Sequence, residues 1–376
     1  MVEVRSAVWE DRQDFSDLWQ LCFGDSDAFC HWFFHHRFEP SLSVCLKADD
    51  VFAACMQAFP YTIGIRGKAV KGTMLCGVCT HPDHRKKGYM GKIFPYDMQL
   101  LQQKGYGVAV HTPAILPSYF SFGHYPVADA CYLTAEKIPE MAAAEGVYPL
   151  EPKEYAKAFP CYTDFAKKYS GIIWRAEADF LRKCADYNAD GGKCMAYGKE
   201  HVEAYVFYYQ TETELICVEA VGDDGALQKV LTGILAEGEG LSLSVKLAPE
   251  SGISFDFAQK EVKQKGVMGL TDLQVLLKAL ELDGKAAFEV EDHVVPENNG
   301  CFLLNGERTE KSPAFSIPAG RLLQVLIGYT TLESQKPYVH IYDEAGFQEI
   351  NEKLPKCNCY IIDEYYFGRI SNQCQL

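Results

Sequence analysis

The stretch GVCTHPDHRKKGYMGK, Gly77 to Lys92, decides how the rest of the chain is read. It gathers Arg85, Lys86, Lys87 and Lys92 around Gly88 and Gly91, in a protein whose formal net charge is -15. An apolar, strand-like run, KAVKGTMLCGVCT, leads into it, and helical spacing of apolar residues leads out. A chain that turns from strand to helix at Gly88 leaves the first N–H groups of that helix without partners, and such groups bind anions. The glycines let a ligand approach the main chain, while the helix dipole and the basic side chains add positive charge. The expected guest is a phosphate or pyrophosphate. The spacing is not that of a nucleotide P-loop, GIRGK at 64–68 fails the same pattern, and no dinucleotide G-x-G-x-x-G is present.

At 376 residues, with 48% hydrophobic and 13% aromatic side chains, the chain has room for two or three domains with real cores. No apolar run approaches the roughly 18 residues of a membrane helix, and the start, MVEVRSAVWEDRQDF, is too charged for a signal sequence. A soluble, cytoplasmic protein without a membrane partner is the expectation. Fifteen cysteines at no repeating spacing point to free buried thiols in a reducing compartment. The acidic balance argues against nucleic acid as a partner and favours cationic ones, although an acidic surface also serves solubility alone.

Working outward, residues 2 to about 138 read as mixed α/β. A strand at VEVRSAV precedes helices at EDRQDFSDLWQLCF and SDAFCHWFFHHRF. Strands then follow at SLSVCLKA, VFAACMQAF and KAVKGTMLCGVCT. A helix from 88 to 104 is expected to kink at Pro95, with Met90, Ile93, Phe94, Met98 and Leu101 facing the core. From 139 to 266 the pattern repeats in outline without a second basic glycine corner. From 267 to 376 the chain reads as α+β, with helices at TDLQVLLKALEL and AGRLLQVLIGY and a last strand at CYIIDEYYF.

Arg85-Lys86-Lys87-Gly88-Tyr89-Met90 resembles the pyrophosphate-binding segment [QR]-x-x-G-x-[GA] of the GNAT superfamily of acyl-CoA-dependent N-acyltransferases, with Met90 in place of the small residue. Downstream, SYFSFGHYPV is similar to that superfamily's Y-x-x-F-G-[YF]: Tyr119, Phe122 and Gly123 match, and His124 replaces the aromatic. Val78 to Met90 also follows the V-x-T-x-P-x-H-R-[RK]-[RK]-G-[LY]-[LM] style of the Eis (enhanced intracellular survival) family, Met90 included. The resemblance implies α/β architecture: two tandem GNAT-like domains, 1–138 and a degenerate 139–266, and a sterol-carrier-protein-like α+β domain, 267–376. It implies acetyl-CoA as cosubstrate, bound by Val78, Cys79, Thr80 and the segment Arg85, Lys86, Lys87, Gly88, Tyr89, Met90 and Gly91. Tyr119 would protonate the departing thiolate. The implied acceptor is a primary amine of a cationic small molecule, aminoglycoside-like or polyamine, with a protein lysine as the alternative acceptor. A non-catalytic acyl-CoA or lipid-binding module is the alternative from another class.

Amide formation from a thioester needs a neutral amine, oxyanion stabilisation and a proton for sulfur. His111, at the end of the strand in GYGVAVHTP, is the candidate base among the histidines. In the Eis family the terminal carboxylate lies in the active site, which would give that role to Leu376. His31 and His35 lack the Glu of H-E-x-x-H and are expected to pack in the core, and Cys357 and Cys359 read as strand thiols, so no metal is expected. Self-association into a homo-oligomer is compatible with all of this.

Overall fold

The run leading into the basic corner is one arm of a long hairpin in the computed structural model, which describes residues 1–362. Strands Val51–Ile65 and Lys68–Thr80 pair antiparallel along their length. Arg66 and Gly67, at φ 51° and 73°, make the turn. β-Branched, apolar and small residues alternate on both faces because both are covered. Helices Arg12–Phe23 and Asp27–His36 lie on one side with Phe15, Trp19, Phe33 and Phe34 inward, and helix Met90–Gln103 lies on the other with Ile93, Phe94, Met98 and Leu101 inward.

Thirteen strands among the described residues form one sheet. Its order begins Val2–Ser6, Ser43–Ala48, Val51–Ile65, Lys68–Thr80, Val108–His111, Gln259–Leu270 and Tyr125–Ala135. It continues through Ser242–Leu247, Glu214–Gly222, Ala204–Gln210, Lys193–Tyr197 and Val147–Pro149, and Ile172–Ile173 pairs with Val51–Ile65 outside this order. The strand Gln259–Leu270, which the sequence pattern does not announce, is antiparallel to both of its neighbours. It fills the space between the strands that end in His111 and begin at Tyr125.

The second unit repeats the parallel strand–helix–strand arrangement. Glu214–Gly222 runs parallel to Ser242–Leu247, with helix Asp224–Ala236 between them. Where the first unit spends residues 81–89 on its basic loop, the second has Asp223 alone between strand and helix. Buried ion pairs lock this unit: Arg175 holds Glu219 through two bonds of 2.9 Å, with Tyr205 and Tyr187 also donating to that carboxylate, and Arg37 reaches across from the first unit to Asp186 at 3.0 Å.

The C-terminal part is a four-stranded sheet, in the order Gly300–Phe302, Phe288–Glu291, Phe315–Pro318 and His340–Ile341, covered by helices Leu273–Leu280, Ala319–Ile327 and Glu344–Lys353. Phe288, Phe302, Phe315 and Phe347 fill its interior, with successive rings 5.5 to 6.4 Å apart.

Two expectations shift. The helix after the basic corner starts at Met90, not at 88, because Lys86 and Gly88 take left-handed φ of 61° and 74°, and it continues through Pro95 to Gln103; Met90, half-buried, packs against the core as expected. Cys359 makes a single bridge to Ser170 where a last strand was expected to begin.

Candidate active site

The hairpin carries a bulge where chemistry is expected. Cys55 faces Cys79 and Gln57 faces Cys76, so Met56 alone opposes Gly77 and Val78. Gly77 sits at φ 58°, and a Cβ there would stand 2.5 Å from the Trp19 ring, so only glycine fits. On its other edge, Lys68–Thr80 pairs in parallel with Val108–Val110 only over Gly72 to Met74. Past Met74 the pairing stops and the two strands part, while Val108–His111 stays paired on its far side with Gln259–Leu270. Val78 and Thr80 lie half-buried along the parted edge, while Cys79 turns into the core beside Trp19.

From Thr80 the chain makes a single 3-10 turn, Pro82–His84, and then the two left-handed residues. Tyr89 precedes helix Met90–Gln103, and no side chain caps the helix's first N–H groups. A Cβ placed on Gly88 or Gly91 would meet nothing within 4 Å, so a ligand has open access to this backbone. Lys86, Lys87 and Lys92 are exposed around it; Arg85 is half-buried, with Nε 3.4 Å from the Thr80 carbonyl. The geometry thus offers positive charge, unpaired N–H groups and bare backbone at one corner.

Tyr119 belongs to the 3-10 helix Leu116–Phe122, which Gly123 ends at φ 74°. Its ring is buried, 4.4 Å from the His111 ring and 5.7 Å from Phe94 between centroids. Burial, with Cys79 nearby, raises its pKa above the usual tyrosine value, so the phenol holds its proton. His111 Nε2 lies 3.1 Å from His124 Nδ1. Burial, and then the neighbouring His124, hold His111 well below 6.5, and burial takes His124 down to about 3. The fold therefore brings Tyr119, His111 and the parted strand edge together.

Other sequence candidates lie elsewhere. Leu376 is outside the described residues. His31 and His35 stack 6.2 Å apart on the exposed face of their helix instead of packing in the core. No group of three or more metal-ligating side chains among the described residues could hold a metal ion. The cysteines among the described residues are all free thiols, most of them buried, as expected.

Sequence reasoning missed two features of the site. Trp19 packs its six-membered ring edge on Gly77 while its Nε1, on the other side of the indole, donates to Asp25 at 2.8 Å, which fixes the ring against the bulge; burial raises the pKa of Asp25. No local motif marks that pair. The C-terminal part also grips the Tyr119 loop and the strand after it: His293 Nε2 donates to the Ser121 carbonyl at 2.8 Å, and Gln324 donates to the carbonyl of Pro126, in Tyr125–Ala135, at 2.6 Å. Arg66 in turn caps the end of Ala319–Ile327 through the carbonyls of Val325 and Leu326, at 2.9 and 2.7 Å. Such contacts join segments some 200 residues apart and leave no sequence signature.

A bulged strand parting from its parallel neighbour, followed by a basic loop into a helix and a buried tyrosine beyond, defines an acyl-CoA-dependent acetyltransferase fold of the GNAT type. Comparison with known families agrees: residues 3–128 match the acetyltransferase (GNAT) domain, and residues 273–352 match the sterol carrier protein domain. No curated protein matches the sequence. Among solved structures, the chain is similar to a probable N-acyltransferase of unknown function from Enterococcus faecalis, at 17% identity and TM-score 0.78 over 97% of this chain and 100% of that one. A GCN5-related N-acetyltransferase from Anabaena variabilis superposes at TM-score 0.79 and 14% identity, with the same coverage. Eis1 from Mycobacterium abscessus does so at 0.73 and 14%, over 96% of this chain and 100% of that one. The chain thus carries a GNAT acetyltransferase domain and, after it, a sterol carrier protein domain, in an Eis-like fold.

Proposed function

We propose that the protein transfers the acetyl group of acetyl-CoA to a primary amine of a cationic acceptor, aminoglycoside-like or polyamine. The observation that carries this reading is the juxtaposition of the open basic corner at Arg85 to Gly91, the parted edge at Val78 to Thr80 and the buried Tyr119. The pyrophosphate is assigned to Arg85, Lys86, Lys87 and the N–H groups from Gly88 to Gly91, and the pantetheine arm to the edge at Val78 and Thr80, with Cys79 backing it from the core. The N–H of Val78 is assigned to the thioester carbonyl, where negative charge develops. The amine adds in its neutral form to that carbonyl carbon, and the C–S bond then breaks, sulfur taking the electron pair and the Tyr119 proton, while His111 takes the proton shed by the nitrogen that has become positively charged in the adduct. That proton then passes to the Tyr119 phenolate and restores both groups.

The net charge of -15 supports a cationic acceptor. The lipid-carrier alternative has less support, because aromatic side chains fill the interior of the C-terminal part. The test is purified protein with acetyl-CoA and a panel of aminoglycosides, polyamines and lysine peptides, with thiol release as readout. Turnover on peptides alone would replace the small-molecule acceptor by a protein lysine, and thiol release with none would overturn the reading.

A further inference from the structure

His124 stands where the tyrosine motif carries an aromatic ring, and its surroundings are built for an imidazole. The ring is 1% exposed, and Phe94 packs against it at 4.8 Å between centroids. Gly269, on the inserted strand Gln259–Leu270, makes the space: a Cβ there would stand 1.9 Å from His124 Nε2. One ring nitrogen is thus turned to a bare stretch of backbone, and the other, Nδ1, lies 3.1 Å from His111 Nε2. Burial keeps both rings neutral, so the short contact between them contains a single hydrogen. Whichever ring supplies that hydrogen fixes the tautomer of both.

We propose that His124 is a positioning residue, its Nδ1 accepting the Nε2–H of His111 and so leaving His111 Nδ1 bare to take the proton of the acceptor amine. The inference rests on the assignment of His111 as base. With the opposite tautomer, His111 would carry hydrogen on Nδ1 and could accept nothing there. An aromatic hydrocarbon at 124 would fill the space and leave the tautomer of His111 unspecified. Gly269 is part of the same arrangement, since any side chain there displaces the His124 ring.

The test combines a spectrum with turnover. In protein labelled with 15N-histidine, two-bond 1H–15N correlations read the protonated nitrogen of each ring directly, and His111→Gln assigns its signals. The expected spectrum shows His111 protonated on Nε2 and bare on Nδ1. His124→Asn places an amide near the Nδ1 position and should retain most of the kcat/KM, whereas His124→Phe should lower it on the order of tenfold or more at unchanged acetyl-CoA affinity. Gly269→Ala should behave like His124→Phe. His111 protonated on Nδ1, parental turnover of His124→Phe, or equal losses in the Asn and Phe variants would overturn the proposal. Parental turnover of His111→Gln would instead remove His111 as base, a separate failure visible even if the spectrum is as expected.

Discussion

Gly320 lies against the carbonyl oxygen of Gly123: a Cβ at position 320 would stand 2.1 Å from it. The first turn of helix Ala319–Ile327 is thereby seated on the residue that ends the Tyr119 turn. Gly320→Ala should force these elements apart, and such overpacking costs about 1–3 kcal/mol. The expected result is a lower melting temperature with kcat reduced more than acetyl-CoA affinity, read by calorimetry and steady-state kinetics. Parental values of both would mean that this contact does not hold the loop.

Arg85→Ala should weaken acetyl-CoA binding by about 1.5–3 kcal/mol, because a charge-assisted contact to the pyrophosphate is lost while Tyr119 is untouched. Titration calorimetry measures it. An unchanged dissociation constant removes Arg85 from the phosphate site.

Tyr119→Phe keeps the ring packed on His111 and Phe94 but deletes the phenol proton. A fall in kcat of about 10²–10⁴-fold at near-constant acetyl-CoA affinity is expected. If the variant turns over like the parent, Tyr119 is a packing residue.

The two buried imidazoles make stability depend on pH. Their folded pKa values lie below the ordinary 6.5, His124 at about 3, so below pH 6.5 the unfolded chain binds more protons than the folded one. Stability from this source is complete above that pH and falls as the pH drops towards 3, by up to about 1.4 kcal/mol per pH unit for each ring. Denaturant titrations at pH 7, 5.5 and 4.5 should show a shallower decline for His124→Phe than for the parent. Parallel curves would mean that His124 is not buried neutral.

If the acceptor is a polycation drawn to the acidic protein, raising salt should raise its KM and leave kcat nearly unchanged, because screening weakens the attraction and not the chemistry. A salt-independent KM points to a neutral acceptor.

Much of this was legible locally. The hairpin, the helices around it and the basic corner follow from apolar periodicity and turn chemistry, and Lys68–Thr80 has the bounds the sequence suggests. The strand Gln259–Leu270 was not legible, because its first half, QKEVKQ, is exposed and charged and reads as a linker; only pairing with two distant strands defines it. His124 was visible as a departure from a motif, but its meaning depends on Gly269, 145 positions away. The Trp19 to Asp25 bond, the grip of His293 on the Tyr119 loop and that of Gln324 on the strand after it are equally products of tertiary contact.

The inserted strand also sets an order of assembly. As the chain emerges during synthesis, the strands ending in His111 and beginning at Tyr125 must wait for more than a hundred further residues before Gln259–Leu270 arrives to join them. Until then each presents an unpaired edge, the kind of surface on which nascent chains associate wrongly. The acetyltransferase domain therefore completes its sheet with a strand from outside its own stretch of sequence: a fragment cut after Ala135 would carry Arg85 and Tyr119 and lack the strand that joins their surroundings beside the site.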